Sequence, residues 1–147
     1  MPDAPTPKMI FINLPVKDLS ASIAFYEAVG AVRNKDFCSE DSQMMSLSDA
    51  IHVMLLTHER FASFTPRRIP NAHETAQVLL AISEESRAAV DVTTDKALAA
   101  GGTEPNPRQD HGFMYGRSFA DLDGHIWEVT WMDVEAALAT HQREVPA

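Results

Sequence analysis

One structural unit is written twice in this chain of 147 residues, and that repetition limits the available folds more than any other feature. KMIFINLPV (residues 8–16) alternates as a strand does, with Ile10, Ile12, Leu14 and Val16 on one side and Phe11, Asn13 and Pro15 on the other. Asp18 then stands where an N-cap belongs. Leu19, Ile23, Tyr26 and Val29 recur at helical spacing, and Gly30 suits a C-cap. Strands are expected near 31–37, 43–48 and 51–57. The order then repeats: QVLLAIS (77–83) reads as a strand and SRAAVDVTTDKALAAGG (86–102) as a helix closed by Gly-Gly. Strands follow near 103–108, 112–120 and 125–132. Internal distances agree as well. Phe11 lies five residues before Val16, as Gln77 does before Ile82, and Met54 lies five after Asp49, as Glu128 does after Asp123.

The pattern predicts an α+β fold in which two βαβββ modules form curved mixed sheets around a concave cup. The boundaries read as a tail at 1–7, a first module at 8–60, a linker at 61–76, a second module at 77–133 and a C-terminal helix or tail at 134–147. Together these make one structural domain, in keeping with a chain of this length.

Composition narrows the partners. Twelve Lys and Arg against 21 Asp and Glu give a net charge of −9, which repels nucleic acid and anionic membrane surfaces alike. The single cysteine, Cys38, forms no internal disulfide and no thiolate zinc site. No apolar run approaches the roughly 20 residues of a membrane span, and MPDAPTP does not resemble a signal peptide. The expectation is a cytoplasmic protein acting on a small-molecule ligand.

Strand alternation assigns residues to the cup. Phe11 and Asn13 face it from the first strand, and His52, Met54 and Leu56 from the fourth. Gln77, Leu79 and Ala81 face it from the fifth, and Ile126, Glu128 and Thr130 from the last, which leaves Trp127, Val129 and Trp131 beneath the helix. A carboxylate on a strand needs a partner. If a two-residue Leu122-Asp123 loop closes the Asp-Leu-Asp-Gly turn, Arg117 stands opposite Glu128 and Tyr115 opposite Thr130, although a bulge would shift that register. Glu128 is then either half of a structural salt bridge or a catalytic base and ligand acceptor, with Arg117 holding an anionic substrate group. Phe11 and Met54 form an apolar floor, Tyr115 donates to a bound carbonyl or packs, and His52 makes a local hydrogen bond or serves as a displaced metal ligand. His125 and Glu128 are three apart on one strand and point to opposite faces, so they do not share an ion.

The two modules, with LPVKDLSASIAFYEAVG near the start and FADLDGHIWE near the end, resemble the vicinal oxygen chelate superfamily. That group comprises glyoxalase I, bleomycin- and fosfomycin-resistance proteins and extradiol dioxygenases. The run MIFINLPVKDL with GFMYGRSFADLDGHIWE is similar to bacterial proteins described as predicted lactoylglutathione-lyase-related. The resemblance implies metal-ligand positions on the first and last strand of each module, which fall on Phe11, Met54, Gln77 and Glu128. Phenylalanine has no donor atom and a thioether suits hard divalent ions poorly, so no metal is expected to be required. A weakly held divalent metal at Gln77 and Glu128 is the alternative. The expected function is therefore small-molecule binding in an apolar cup by a homodimer. Its competitors are a metal-dependent lyase or isomerase resembling lactoylglutathione lyase and, further off, an extradiol dioxygenase.

Overall fold

The computed structural model describes residues 4–144, with side chains described as far as 140. Two compact units divide the chain, residues 1–70 and 71–147, and each carries one βαβββ module.

In the first unit, β1 (Ile10–Val16) leads into α1 (Leu19–Val29), followed by β2 (Val32–Ser39), β3 (Ser42–Ser46) and β4 (Ile51–Thr57), with a short α2 (His58–Ala62) after them. The sheet order is β1-β4-β3-β2, with β1 parallel to β4 and the other pairs antiparallel. The Asp18 side chain caps α1 by accepting from the Ala21 N–H at 3.1 Å, and Gly30 ends it at φ 116°, a conformation that favours glycine. Ile23, Phe25, Tyr26 and Val29 of α1 are buried together with Leu14, Val16, Met45, Val53 and Leu55 of the sheet. Each such aliphatic or aromatic side chain contributes about 1.5–3 kcal/mol by leaving water. Gln43 is also buried, with its amide satisfied: it accepts from Arg33 Nε at 3.0 Å and donates to the Asn34 and Met44 carbonyls at 2.7 and 2.9 Å.

In the second unit, β5 (Leu80–Ser83) leads into α3 (Arg87–Ala99), then β6 (Gln109–Asp110), β7 (Met114–Ala120), β8 (Ile126–Met132) and α4 (Val134–Glu144). The order β5-β8-β7-β6 repeats that of the first sheet, again with a parallel first pair. Two expectations are corrected. The strand near 103–108 reduces to one isolated bridge, Thr103 with Ala120, because Pro105 and Pro107 have no N–H to offer a ladder. The fifth strand begins at Leu80 rather than 77. Leu80, paired with Trp127, is the first residue of the ladder, so Gln77 lies ahead of the strand and outside its pairing.

Candidate functional site

The site depends on how the turn between β7 and β8 is closed. The Asp121 N–H donates to the His125 carbonyl at 2.9 Å and the Gly124 N–H to the Asp121 carbonyl at 3.1 Å, so Gly124 and His125 together oppose Asp121. That is a β-bulge rather than a two-residue loop. The Asp121 carboxylate fixes it by accepting from the N–H groups of Asp123 and His125 at 3.0 and 2.9 Å. Glycine is required at 124. Its φ is 91°, and an added Cβ would lie 2.6 Å from the backbone N of His73 and 2.7 Å from the carbonyl carbon of Ala72.

One extra residue in the turn turns the expected faces over. Arg117 pairs with Val129 rather than Glu128, and Tyr115 with Trp131 rather than Thr130. Both therefore lie on the α3 side of the sheet. Burying an arginine there is costly, and the structure meets that cost with carboxylates. Arg117 is only 6% exposed. It donates from Nε and an Nη to the two oxygens of Glu104 at 2.9 and 3.1 Å, and from its other Nη to Asp91 and Asp95, both at 3.0 Å. The Tyr115 hydroxyl donates to the same Asp91 oxygen at 2.7 Å and accepts from Arg108 at 3.2 Å. That phenol, and secondly Arg117, hold the Asp91 carboxyl below its ordinary pKa, while burial and then Asp91 push Tyr115 above its own. The guanidinium of Arg117 stays charged. Hydrogen bonding to Glu104 is the largest reason, and its pKa lies above the ordinary arginine value.

The opposite face keeps Glu128. Ser118 of β7 and Ala81 of β5 lie directly across from it, and Gly116 lies across from Thr130. The residues of β5, β6 and β7 that share this face carry no charge. Glu128 is half-buried, and its carboxylate makes no hydrogen bond or ion pair to another described residue. Ser118 is 5% exposed, and its hydroxyl is buried without a partner among the described residues. The two-residue loop expected from the sequence would put Ser118 on the other face. The fourth-position glycine of Asp-Leu-Asp-Gly was the available signal, since such glycines favour a bulged turn.

In the first unit, Phe11 pairs with His52 and Asn13 with Met54, so these four share one face, as alternation predicted. Phe11 is 48% exposed and its ring stacks on His52 at 5.2 Å. His52 is buried with both nitrogens in use. Its Nε2 donates to the Asp49 carbonyl at 3.1 Å, because a carbonyl only accepts, which leaves Nδ1 to accept from the Ser46 hydroxyl at 2.8 Å.

The divalent metal that the resemblance implies does not fit these residues. Phe11 offers no donor atom, Met54 offers a thioether, Gln77 is exposed ahead of β5, and the His52 nitrogens are taken. Among the described residues, no three His, Cys, Asp or Glu side chains gather as a metal would require.

The paired βαβββ units and the carboxylate on the last strand define a class. The chain belongs to the glyoxalase/bleomycin resistance protein/dioxygenase superfamily, whose model matches residues 8–129. A hypothetical protein from S. aureus has a similar structure, with a TM-score of 0.72 and 25% identity over 87% of this chain and 95% of that one. A glyoxalase-related enzyme from Fulvimarina pelagi gives 0.72 and 21% over 86% and 88%. The fosfomycin resistance protein of Mesorhizobium loti gives 0.66 and 16% over 90% and 98%, a likeness of fold alone. No curated protein matches the chain. No helix among the described residues is long and apolar enough to cross a membrane.

Proposed function

We propose that the protein binds a small molecule on the second sheet's face opposite α3, with Glu128 accepting hydrogen bonds from a cationic or N–H-bearing group, and that no metal is required. One observation carries this reading: the Glu128 carboxylate has no partner among the described residues, and the nearest arginine on the ladder lies on the other face. A half-buried carboxylate without a cation gains most from a ligand that brings one. Had Arg117 stayed beside it, the site would suit an anion instead. Ile126, Ala81 and Met132 on the same face supply apolar contact for the ligand body.

A second reading is a lyase or isomerase resembling lactoylglutathione lyase. Family membership and the unpaired state of Glu128 favour it, since a general base must be free to take a proton. Turnover of a glutathione hemithioacetal, lost in Glu128→Gln, would establish it.

The test of the first reading is a thermal-shift screen of amines, amidines and carboxylic acids in the presence of a chelator. Protonated amines or amidines should raise the melting temperature of the wild type and leave Glu128→Gln unmoved. Stabilisation by carboxylic acids, or stabilisation that a chelator abolishes, would overturn it.

A further inference from the structure

We infer that Ser118 is the positioning residue of this site, its hydroxyl being the donor that orients the Glu128 carboxylate toward a bound ligand. The inference rests on the reading of Glu128 as the ligand's acceptor, and it adds a residue that neither the sequence motifs nor the family match singles out.

Ser118 and Glu128 are directly paired across the β7–β8 ladder, so their side chains leave the same face at the same level. Directly opposed Cβ atoms lie about 4.5–5.5 Å apart, within reach of a hydrogen bond of about 2.5–2.7 Å once both side chains rotate. No such bond joins them in the structure, and each lacks any other described partner. A buried hydroxyl without a partner is costly, and an ionised carboxylate accepts only. The two deficits are complementary. Other neighbours compete poorly: Ala81 across β5 and Ile126 along β8 have no polar side-chain atom, and Thr130 stands level with Gly116, one step away. A carboxylate pinned by one hydroxyl keeps its remaining lone pairs aimed outward, which is what a cationic group requires.

The experiment compares thermal stability with and without benzamidinium, with calorimetry beside it. Without ligand, Ser118→Ala should leave the melting temperature unchanged or raise it, because the hydroxyl it removes has no partner among the described residues. With saturating benzamidinium the same substitution should forfeit part of the ligand-induced rise seen in the wild type, because the donor to the charged carboxylate is lost. An equal ligand-induced rise in the two proteins would overturn the inference. Calorimetry with benzamidinium should show affinity falling about tenfold in Ser118→Ala and returning in Ser118→Thr, as a lost charge-assisted bond predicts. Unchanged affinity in Ser118→Ala would also overturn it. If benzamidinium fails to bind the wild type, the ligand reading falls and takes the inference with it, whereas binding that Ser118→Ala leaves unchanged sinks the inference alone.

Discussion

The two units solve one packing problem in different ways. Beneath α1 the contact is mostly apolar, with Phe25, Tyr26 and Val29 set against Val16, Met45, Val53 and Leu55, and its buried polar groups, Ser22 and Gln43, are uncharged. Beneath α3 the helix contributes Val90, Thr94 and Ala97, while the sheet places Arg117 beside Val129, Phe119 and Trp127. An apolar interface loses energy in proportion to the atoms removed from it. An interface organised around one buried charge fails when either sign is left alone. The duplicated plan therefore carries one graded contact and one brittle contact.

Arg117→Ala should break the comparison most sharply. It strands three carboxylates around an empty position, and urea unfolding should show a loss of about 3–5 kcal/mol. Adding Asp91→Asn should recover part of that loss, whereas a recovery of nothing would mean that the guanidinium acts through packing alone. In the first unit, Leu55→Ala should cost about 2–5 kcal/mol, and no charge substitution should recover it.

Tyr115→Phe is the next largest change. It removes the hydroxyl that bonds Asp91 and Arg108 and leaves the ring, which packs against the Arg87 guanidinium at 5.3 Å. A loss of about 1–2 kcal/mol is expected, with alkaline behaviour as a second check. Because the folded Tyr115 pKa is raised, its contribution is complete below the ordinary value of 10.0 and is lost as pH rises above it.

Acid should act more weakly, and on the second unit first. Asp110 accepts from both terminal nitrogens of Arg87, at 2.7 and 2.9 Å, and this holds its pKa down from 3.8 to about 2. Asp91 is lowered as well, by Tyr115 and then Arg117. Depressed carboxylates contribute stability above their unfolded pKa and lose it as pH falls through the folded one. Melting temperature should therefore drop between about pH 4 and 2. Asp110→Asn should flatten part of that drop, and an identical acid limb would show that this exposed pair contributes nothing.

The order of elements was legible because hydrophobic period and capping are local. Asp18, Gly30 and the alternation of β1 and β4 each act within a few residues. The side chains of the site were less legible, since one glycine in a turn decides them. Asp-Leu-Asp-Gly reads as a hairpin under either closure, yet the bulge at Gly124 moves every residue of β7 to the other face. The phase of β8 relative to the helix is readable from its own tryptophans, which alternate with Ile126, Glu128 and Thr130. The phase of β7 is not readable in that way, because Arg117 takes its register through the turn. Glu104 and Asp91 gave no sign of their role, being distant in sequence from the arginine that gathers them.

Glu128→Leu should have the smallest effect on stability, and that makes it the most informative substitution for function. Arg117 and Glu128 sit one residue out of register on adjacent strands, and both are ionisable groups in partly dry surroundings. The structure supplies Arg117 with three carboxylates and, among the described residues, gives Glu128 no cation. Where a charge holds the fold together, its removal costs stability. An unpartnered charge costs the fold something while it is present, so replacing it with leucine should leave the melting temperature unchanged or raise it, while abolishing ligand stabilisation. A large fall in melting temperature would place Glu128 among the structural residues and remove the ground for reading this face as a binding site.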